Sequence, residues 1–376
     1  MENIAKSGKL IALPVQLVPA DGGVVLVRGN LTFLVEGELA SEVVHVVLSL
    51  ASEDGATLEE IFNYFAAPDR PAIESLVASL IKRKILLPIE DCPDMSRSAG
   101  ELKEEVFYWH FDQTSDAAAK RINDRRIVII GVNHISRRMV DALKSVGASN
   151  FVVVDYHSMR NLEFFDKNGL KHSLWPKKAG LPIDAGDFDA AEEQHPADCI
   201  VATSDFGSLP ILREWNKYCI EKNIHYLPVW LSRMVGSVGP LVVPRATPCY
   251  DCVWARENSH MENWNHLRAV EESAAESQAL AGYLAPMASI LADIATMELV
   301  KFYSRILPPK IGVLIEVNLL KPEIIPRVVL KAPRCPACSP IHTISSVDPS
   351  LRHLVPGTEY AGNVDPVVIK KNQSGS

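Results

Sequence analysis

The sequence predicts an α/β protein in two parts, a small strand-and-helix unit followed by a larger parallel-sheet domain, and three observations carry that prediction. Short β-prone runs joined by a hairpin signal lead into three helix-spaced segments within the first 90 residues. Continuous apolar runs at 127–130 and 151–154 bracket a helix-spaced segment, the arithmetic of a βαβ unit. Two Cys-x-x-Cys pairs, Cys249 with Cys252 and Cys335 with Cys338, lie further along. At 376 residues the chain has length for two or three domains.

In the first part, residues 24–27 and 31–35 read as strands around the turn Arg28-Gly29-Asn30, with residues 9–13 as a further strand. Leu39, Val43, Val46, Val47 and Leu50 fall on one face of a first helix. Thr57 with Glu60 three residues on is a capping box that opens a second. Pro71 sits in the first turn of a third, with Ile73, Leu76, Val77, Leu80 and Ile81 inward. A ribbon followed by three short helices is the outline of a winged helix-turn-helix. Such a unit can read DNA, but the third helix offers only a C-terminal basic cluster, Lys82, Arg83 and Lys84, to a groove. The favoured alternative is β-addition of an extended peptide beside Leu31, Thr32, Phe33, Leu34 and Val35, with Ile73, Leu76, Val77 and Leu80 as an apolar wall.

A polar connector is expected over 91–124; its aromatics, 107–111, suggest packing at a domain junction and are assigned no chemistry. The second part is expected over 125–340, with a tail beyond it. Its first strand, 127–130, leads through a helix containing Met139, Val140 and Leu143 to Gly147, then to a strand ending at Asp155, where an acid can meet a ribose hydroxyl. Residues 199–203 form a strand ending at Ser204-Asp205, and 225–229 another. The turn after the first strand carries one glycine, Gly131, where a dinucleotide cradle uses three, so the phosphate site is degraded. His134 in that turn reads as solvated. Asp205 can hold Mg²⁺ or cap the helix after it.

Two thiolates three residues apart occupy two corners of a zinc tetrahedron, and a second pair closes it without an open position, which implies structure rather than catalysis. The 82 intervening residues mean that a metal would tie the C-terminal segment back onto the domain. Cys92, Cys199 and Cys219 read as buried thiols. Thirty-eight basic residues against 46 acidic ones give a charge of -8, so bulk electrostatics favours neither nucleic acid nor an anionic membrane. Residues 1–14 show no secretory signal. The most apolar stretch, 279–292, contains Pro286 and is shorter than the roughly 20 residues of a bilayer span, so a buried or dimer-forming helix is expected there. A reducing, cytoplasmic setting follows from the paired cysteines without an export signal.

On these pieces, residues of about 105–340 resemble the ThiF-like adenylating domain of ubiquitin-activating-enzyme relatives, including microcin C-type peptide-adenylating enzymes. The matching residues are 127–131, Val154-Asp155 with Asn161-Leu162, Ala202-Thr203-Ser204-Asp205, the run 239–244 and both cysteine pairs. Leu227-Pro228-Val229, the run 238–244, and Trp264 with Leu267 look most like the leader-peptide-binding partner proteins of thiazole/oxazole-modified microcin pathways. Val27-Arg28-Gly29, Glu36-Gly37-Glu38-Leu39 and residues 57–61 are similar to their peptide-recognition element. The resemblance implies a Rossmann-like protein that binds the leader of a ribosomal bacteriocin-type precursor, while the apolar helix around 279–297 implies a homodimer and the cysteine spacing structural zinc. A separate YcaO-type subunit would then form azolines with ATP. Active adenylating relatives carry an arginine just after the Asn-Leu step; here Glu163 follows. The alternative is an ATP-dependent peptide-modifying enzyme in which Gly131 and Asp155 bind nucleotide, Asp205 holds Mg²⁺ and serves catalysis, and Lys167 or Lys171 replaces the arginine.

Overall fold

The computed structural model describes residues 8–338, apart from 53, 92–101, 112, 176–179, 187, 189–194, 208, 233, 260–262, 264–265, 267–268, 271–272, 274–281, 308–310, 322 and 334. Cys92, Trp264, Leu267, the start of the apolar stretch at 279 and the tail therefore lie outside the described residues. The chain divides into two compact units, residues 1–117 and 118–376.

In the first unit β1 (Leu10–Ala12) pairs antiparallel with β5 (Leu86–Pro88). Strands β2 (Gln16–Ala20), β3 (Gly23–Arg28) and β4 (Leu31–Glu36) form an antiparallel sheet in the order β2-β3-β4. No further strand covers the outer side of β4 among the described residues. Strict alternation along β3 turns Val24 and Leu26 inward, where they meet Val44 and Val47 of α1 (Ala40–Leu50), Ile61 of α2 (Leu58–Tyr64) and Ile73, Val77 and Leu80 of α3 (Arg70–Lys82). The capping box forms as the spacing predicts, with Glu60 N donating to Thr57 Oγ1 at 3.2 Å and Thr57 N to Glu60 Oε2 at 2.8 Å. The inward face of α1 is shifted from the sequence expectation. Leu39 precedes the helix and is 63% exposed, and Ala40 and Val44 take the core positions in place of Leu39 and Val43.

The predicted connector contains α4 (Leu102–Trp109), which packs within the first unit. His110 Nε2 accepts from Asn30 N at 3.1 Å, and Trp109 lies beside Arg28, whose guanidinium is 5.6 Å from the ring centroid. The aromatic stretch thus supports the β3–β4 turn. A side chain at Gly29 would strike His110, and its φ of 57° is one that side-chain-bearing residues adopt rarely.

The second unit begins with α5 (Ser115–Asn123), which straddles the division, and is built on an eight-stranded sheet among the described residues. Its strands are β6 (Ile127–Ile130), β7 (Phe151–Asp155), β10 (Ile183–Asp184), β11 (Cys199–Ser204), β12 (His225–Ser232), β13 (Val235–Val238), β14 (Val313–Asn318) and β15 (Glu323–Val328). Strands β8 (Phe165–Asp166) and β9 (Gly169–Leu170) form a separate short hairpin. The sheet order is β10-β7-β6-β11-β12-β13-β14-β15, parallel as far as β12 and antiparallel beyond it. Both faces of β6 and β11 are buried, which explains their unbroken apolar runs. The sequence expectation stopped at β12 because the strands beyond it lack an unbroken buried run, β14 being only partly buried and β15 exposed throughout.

Helix α6 (His134–Ser145) connects β6 to β7, and α9 (Ala285–Ser304) packs against α6, β12 and β13. Pro286 stands in the first turn of α9, so it starts this helix rather than interrupting it. Leu291 of α9 approaches the backbone at Gly236, where any Cβ would meet its methyl groups. No helix among the described residues is long and apolar enough to cross a membrane.

Candidate functional site

Strand order reverses at β6, so the carboxyl ends of β7, β6 and β11 open a crevice at a topological switch point. Gly131, which follows β6, has φ 104°, and a Cβ there would come within 2.8 Å of Thr203 O and 3.1 Å of Met159 O. Only glycine fits this close approach. The next two residues seal the turn with side chains. Val132 is fully buried, and Asn133 forms a reciprocal capping box with Ser136 at the start of α6. Asn133 Nδ2 also donates to Thr203 O at 2.8 Å and Thr203 Oγ1 at 3.0 Å.

Asp205, fully buried beyond β11, is held by groups from other parts of the unit. Its carboxylate accepts from His134 N at 2.9 Å, from Asn161 Nδ2 at 3.0 and 3.1 Å, and from Tyr283 OH at 2.5 Å. An internal anion thus occupies the N-terminus of α6, where the helix dipole and free amide hydrogens would otherwise draw phosphate. Burial pushes the Asp205 carboxyl above the usual range, opposed by the hydrogen bonds from Tyr283, His134 N and Asn161. His134 is not solvated as its turn position suggested. Its Nε2 lies 3.1 Å from Glu163 Oε2 and its ring meets the edge of Phe164.

Asp155, at the end of β7, is engaged by both prongs of Arg160, at 2.6 Å from Nε and 2.9 Å from Nη2. Hydrogen bonding to Asp155 raises the Arg160 pKa, and the guanidinium also sits 4.7 Å from the Phe165 ring centroid. Lys171 Nζ donates to Glu163 O at 2.8 Å. Gly131, Asp155 and Asp205 therefore converge on one crevice, but the groups that would receive a nucleotide already hold protein partners. Three carboxylates, Asp155, Glu163 and Asp205, stand around it.

The four paired cysteines are brought together and buried, their sulfurs within 4.8 Å of one another. Cys249 and Cys252 flank the start of α8 (Tyr250–Ser259), while Cys335 and Cys338 come from the chain beyond β15. Sulfur separations are 3.9 Å for Cys249 and Cys252, 3.5 Å for Cys249 and Cys335, and 3.4 Å for Cys252 and Cys338. A zinc tetrahedron with bonds of about 2.3 Å has edges of about 3.8 Å, so the cluster can hold zinc. The backbone N–H of Ala332 donates to Cys252 Sγ at 3.4 Å, support of the kind that thiolate ligands use. With no cation, hydrogen bonding with Cys252 raises the Cys249 pKa, and that with Cys249 lowers the Cys252 pKa.

The knuckle is locked to α7 (Leu209–Lys222) through buried Asp251. That carboxylate accepts from Arg213 at 2.7 and 2.8 Å and from Asn216 Nδ2 at 2.6 Å, while Tyr250 N donates to Asn216 Oδ1 at 3.1 Å. Arg213 lies 3.7 Å from the Trp254 ring centroid. Sequence reading missed this clamp, which depends on residues 34 or more apart in the chain. Cys199 and Cys219 are buried, and burial pushes the Cys199 thiol up to about 12, unsuited to nucleophilic work.

In the first unit, Leu31, Phe33 and Val35 are half-buried while Thr32 and Leu34 point outward. Arg83, at the end of α3, stacks 4.5 Å from the Phe33 ring centroid, placing the helix alongside the strand. Arg28 fixes that end of α3 by donating to Lys84 O at 2.7 Å and Arg83 O at 3.3 Å. The predicted apolar wall needs correction. Ile73, Val77 and Leu80 are at most 4% exposed and serve the unit's own core, which leaves Leu76 as its half-buried member.

The ThiF family model matches residues 180–339. Among solved structures, Escherichia coli MccB is 17% identical with a TM-score of 0.61, over 88% of this chain and 97% of that one. The same enzyme crystallised with ATP is 16% identical with a TM-score of 0.63, over 88% and 99%. A heterocyclase in complex with substrate and cofactor is 18% identical with a TM-score of 0.55, over 88% of this chain and 40% of the other. A search of curated proteins finds no match. These similarities show a fold shared with MccB and a ThiF match over residues 180–339, the part that carries the four-cysteine cluster.

Proposed function

We propose that the protein binds the leader of a ribosomally made precursor peptide and presents it to a separate YcaO-type subunit for azoline formation. The observation that carries this reading is the open edge of β4 beside α3. Its unpaired backbone groups can add an extended peptide as a fourth strand, with alternate side chains resting on Leu31, Phe33, Val35 and Leu76. In this reading the first unit works as a winged-helix recognition element, and zinc at Cys249, Cys252, Cys335 and Cys338 is structural. Support comes from MccB structures that contain the peptide MccA and from the heterocyclase that contains its substrate. That heterocyclase is more than twice as long as the matched region, which suits a division of the same work between two chains here. Homodimerisation through α9, with its exposed Ile290 and Met297, and a cytoplasmic setting belong to the same proposal.

The engaged carboxylates of the crevice favour this reading over adenylation by the chain itself. Labelled precursor, taken from the short reading frame beside the gene, is expected to saturate the full-length protein with a micromolar or tighter Kd in the absence of nucleotide. No saturable binding in that range contradicts the proposal.

A further inference from the structure

Helix α3 carries a second feature, a groove against α2 with a volume of about 950 Å³. No residue of β4 lines it, and its size is at the upper end for a ligand site. We propose that this groove binds a short amphipathic helix of the guest peptide, antiparallel to α3 and with an acidic first turn. The inference rests on the peptide-binding reading and adds the chemistry of a second contact.

Three observations identify the occupant as a helix of that polarity. The walls are two helices, α2 contributing Leu58 and Phe62 and α3 contributing Ser75 and Ala78. Helix backbones have their hydrogen bonds satisfied internally, so an extended guest would find no ladder here, whereas a helical guest satisfies its own. Lining residues run along α3 from Pro71 to Lys82, about 17 Å at 1.5 Å per residue, the length of three helical turns. The small Ser75 and Ala78 leave room for a third helix to approach.

Charge sets the direction. Glu74 lies near the start of α3, and Lys82 and Arg83 lie at its end. An antiparallel guest brings its N-terminus to Lys82 and Arg83, where acidic residues complement both the cations and the guest's own dipole. Arg83 also stacks on Phe33, so its side chain stands at the margin of both the groove and the β4 edge. One peptide can therefore lie on β4 and continue as a helix across α3.

The test is selection of 20-residue peptides from a display library against the full-length protein, followed by affinity measurement on purified variants. Selected peptides are expected to carry aliphatic or aromatic residues at i, i+3 or i+4, and i+7, preceded by Asp or Glu. Ser75→Trp, at an exposed position, and Ala78→Trp are expected to weaken them at least about tenfold with the thermal midpoint unchanged. Lys82→Glu is expected to weaken them several-fold, with recovery when the peptide's acids are changed to Lys. Binding that survives both tryptophans but is lost on N-methylation of the peptide backbone overturns the groove while leaving strand addition intact. Binding lost with either tryptophan but indifferent to N-methylation of its non-helical part supports the groove and contradicts strand addition. An empty selection overturns the groove, and the precursor titration then judges the wider reading by itself.

Discussion

Cys252→Ala is expected to abolish stoichiometric zinc and to destabilise residues 118–338 by on the order of 5 kcal/mol. Structural zinc in small domains contributes about 10–16 kcal/mol of binding free energy, nearly all of it folding energy. Here a surrounding core of Ile200, Leu212, Tyr226 and Trp230 persists without metal, so only part of that is lost. The variant also leaves the Ala332 N–H without its sulfur acceptor. For a unit of this size each kcal/mol moves the Tm by roughly 2–4 °C, so a fall of about 10–20 °C is expected. Metal analysis with a thermal melt checks it; a full complement of zinc in Cys252→Ala would contradict the assignment.

Asp205→Ala and Asp205→Asn are expected to separate the carboxylate's hydrogen bonding from its charge. Alanine strands His134 N and Tyr283 OH and leaves Asn161 Nδ2 with Tyr283 OH as its acceptor. At about 1–3 kcal/mol for an unsatisfied buried group, partly offset by relaxation, the cost is on the order of 4 kcal/mol. Asparagine keeps an acceptor and should cost much less. The pH dependence has a definite sign. Burial raises the folded pKa of Asp205, so the native state retains its proton longer than the unfolded chain. The stability this confers is complete below the ordinary carboxylate range and is lost as pH rises through the raised folded value. Denaturant melts should therefore show Asp205→Asn gaining on the native protein as pH rises across that interval. An equal gap at every pH would contradict a raised Asp205.

Much of this architecture was legible because its signals are local. The capping box at Thr57, the proline opening α3, and the buried runs of β6 and β11 depend on neighbours within a few residues. The cysteine pairs were legible for a different reason, since thiolates at that spacing serve few other purposes. What stayed hidden depends on distant partners. Nothing near Asp205 in the chain announces Tyr283 or the start of α6. The wall on α3 was misassigned because periodicity identifies an apolar face without saying whether core or guest covers it. The single glycine of the turn after β6 was legible, but the partners around it, Asn133 bonding Thr203 and Asp205 bonding His134 N, were not.

In the proposed function the nucleotide-type crevice has closed upon its own side chains while the first unit keeps a peptide-binding edge. Calorimetric titration of the zinc-loaded, full-length protein with MgATP tests it most directly. No saturable heat is expected up to about 1 mM nucleotide. A stoichiometric site with a Kd of about 100 µM or tighter, present in the native protein and absent from Asp205→Asn, would contradict it.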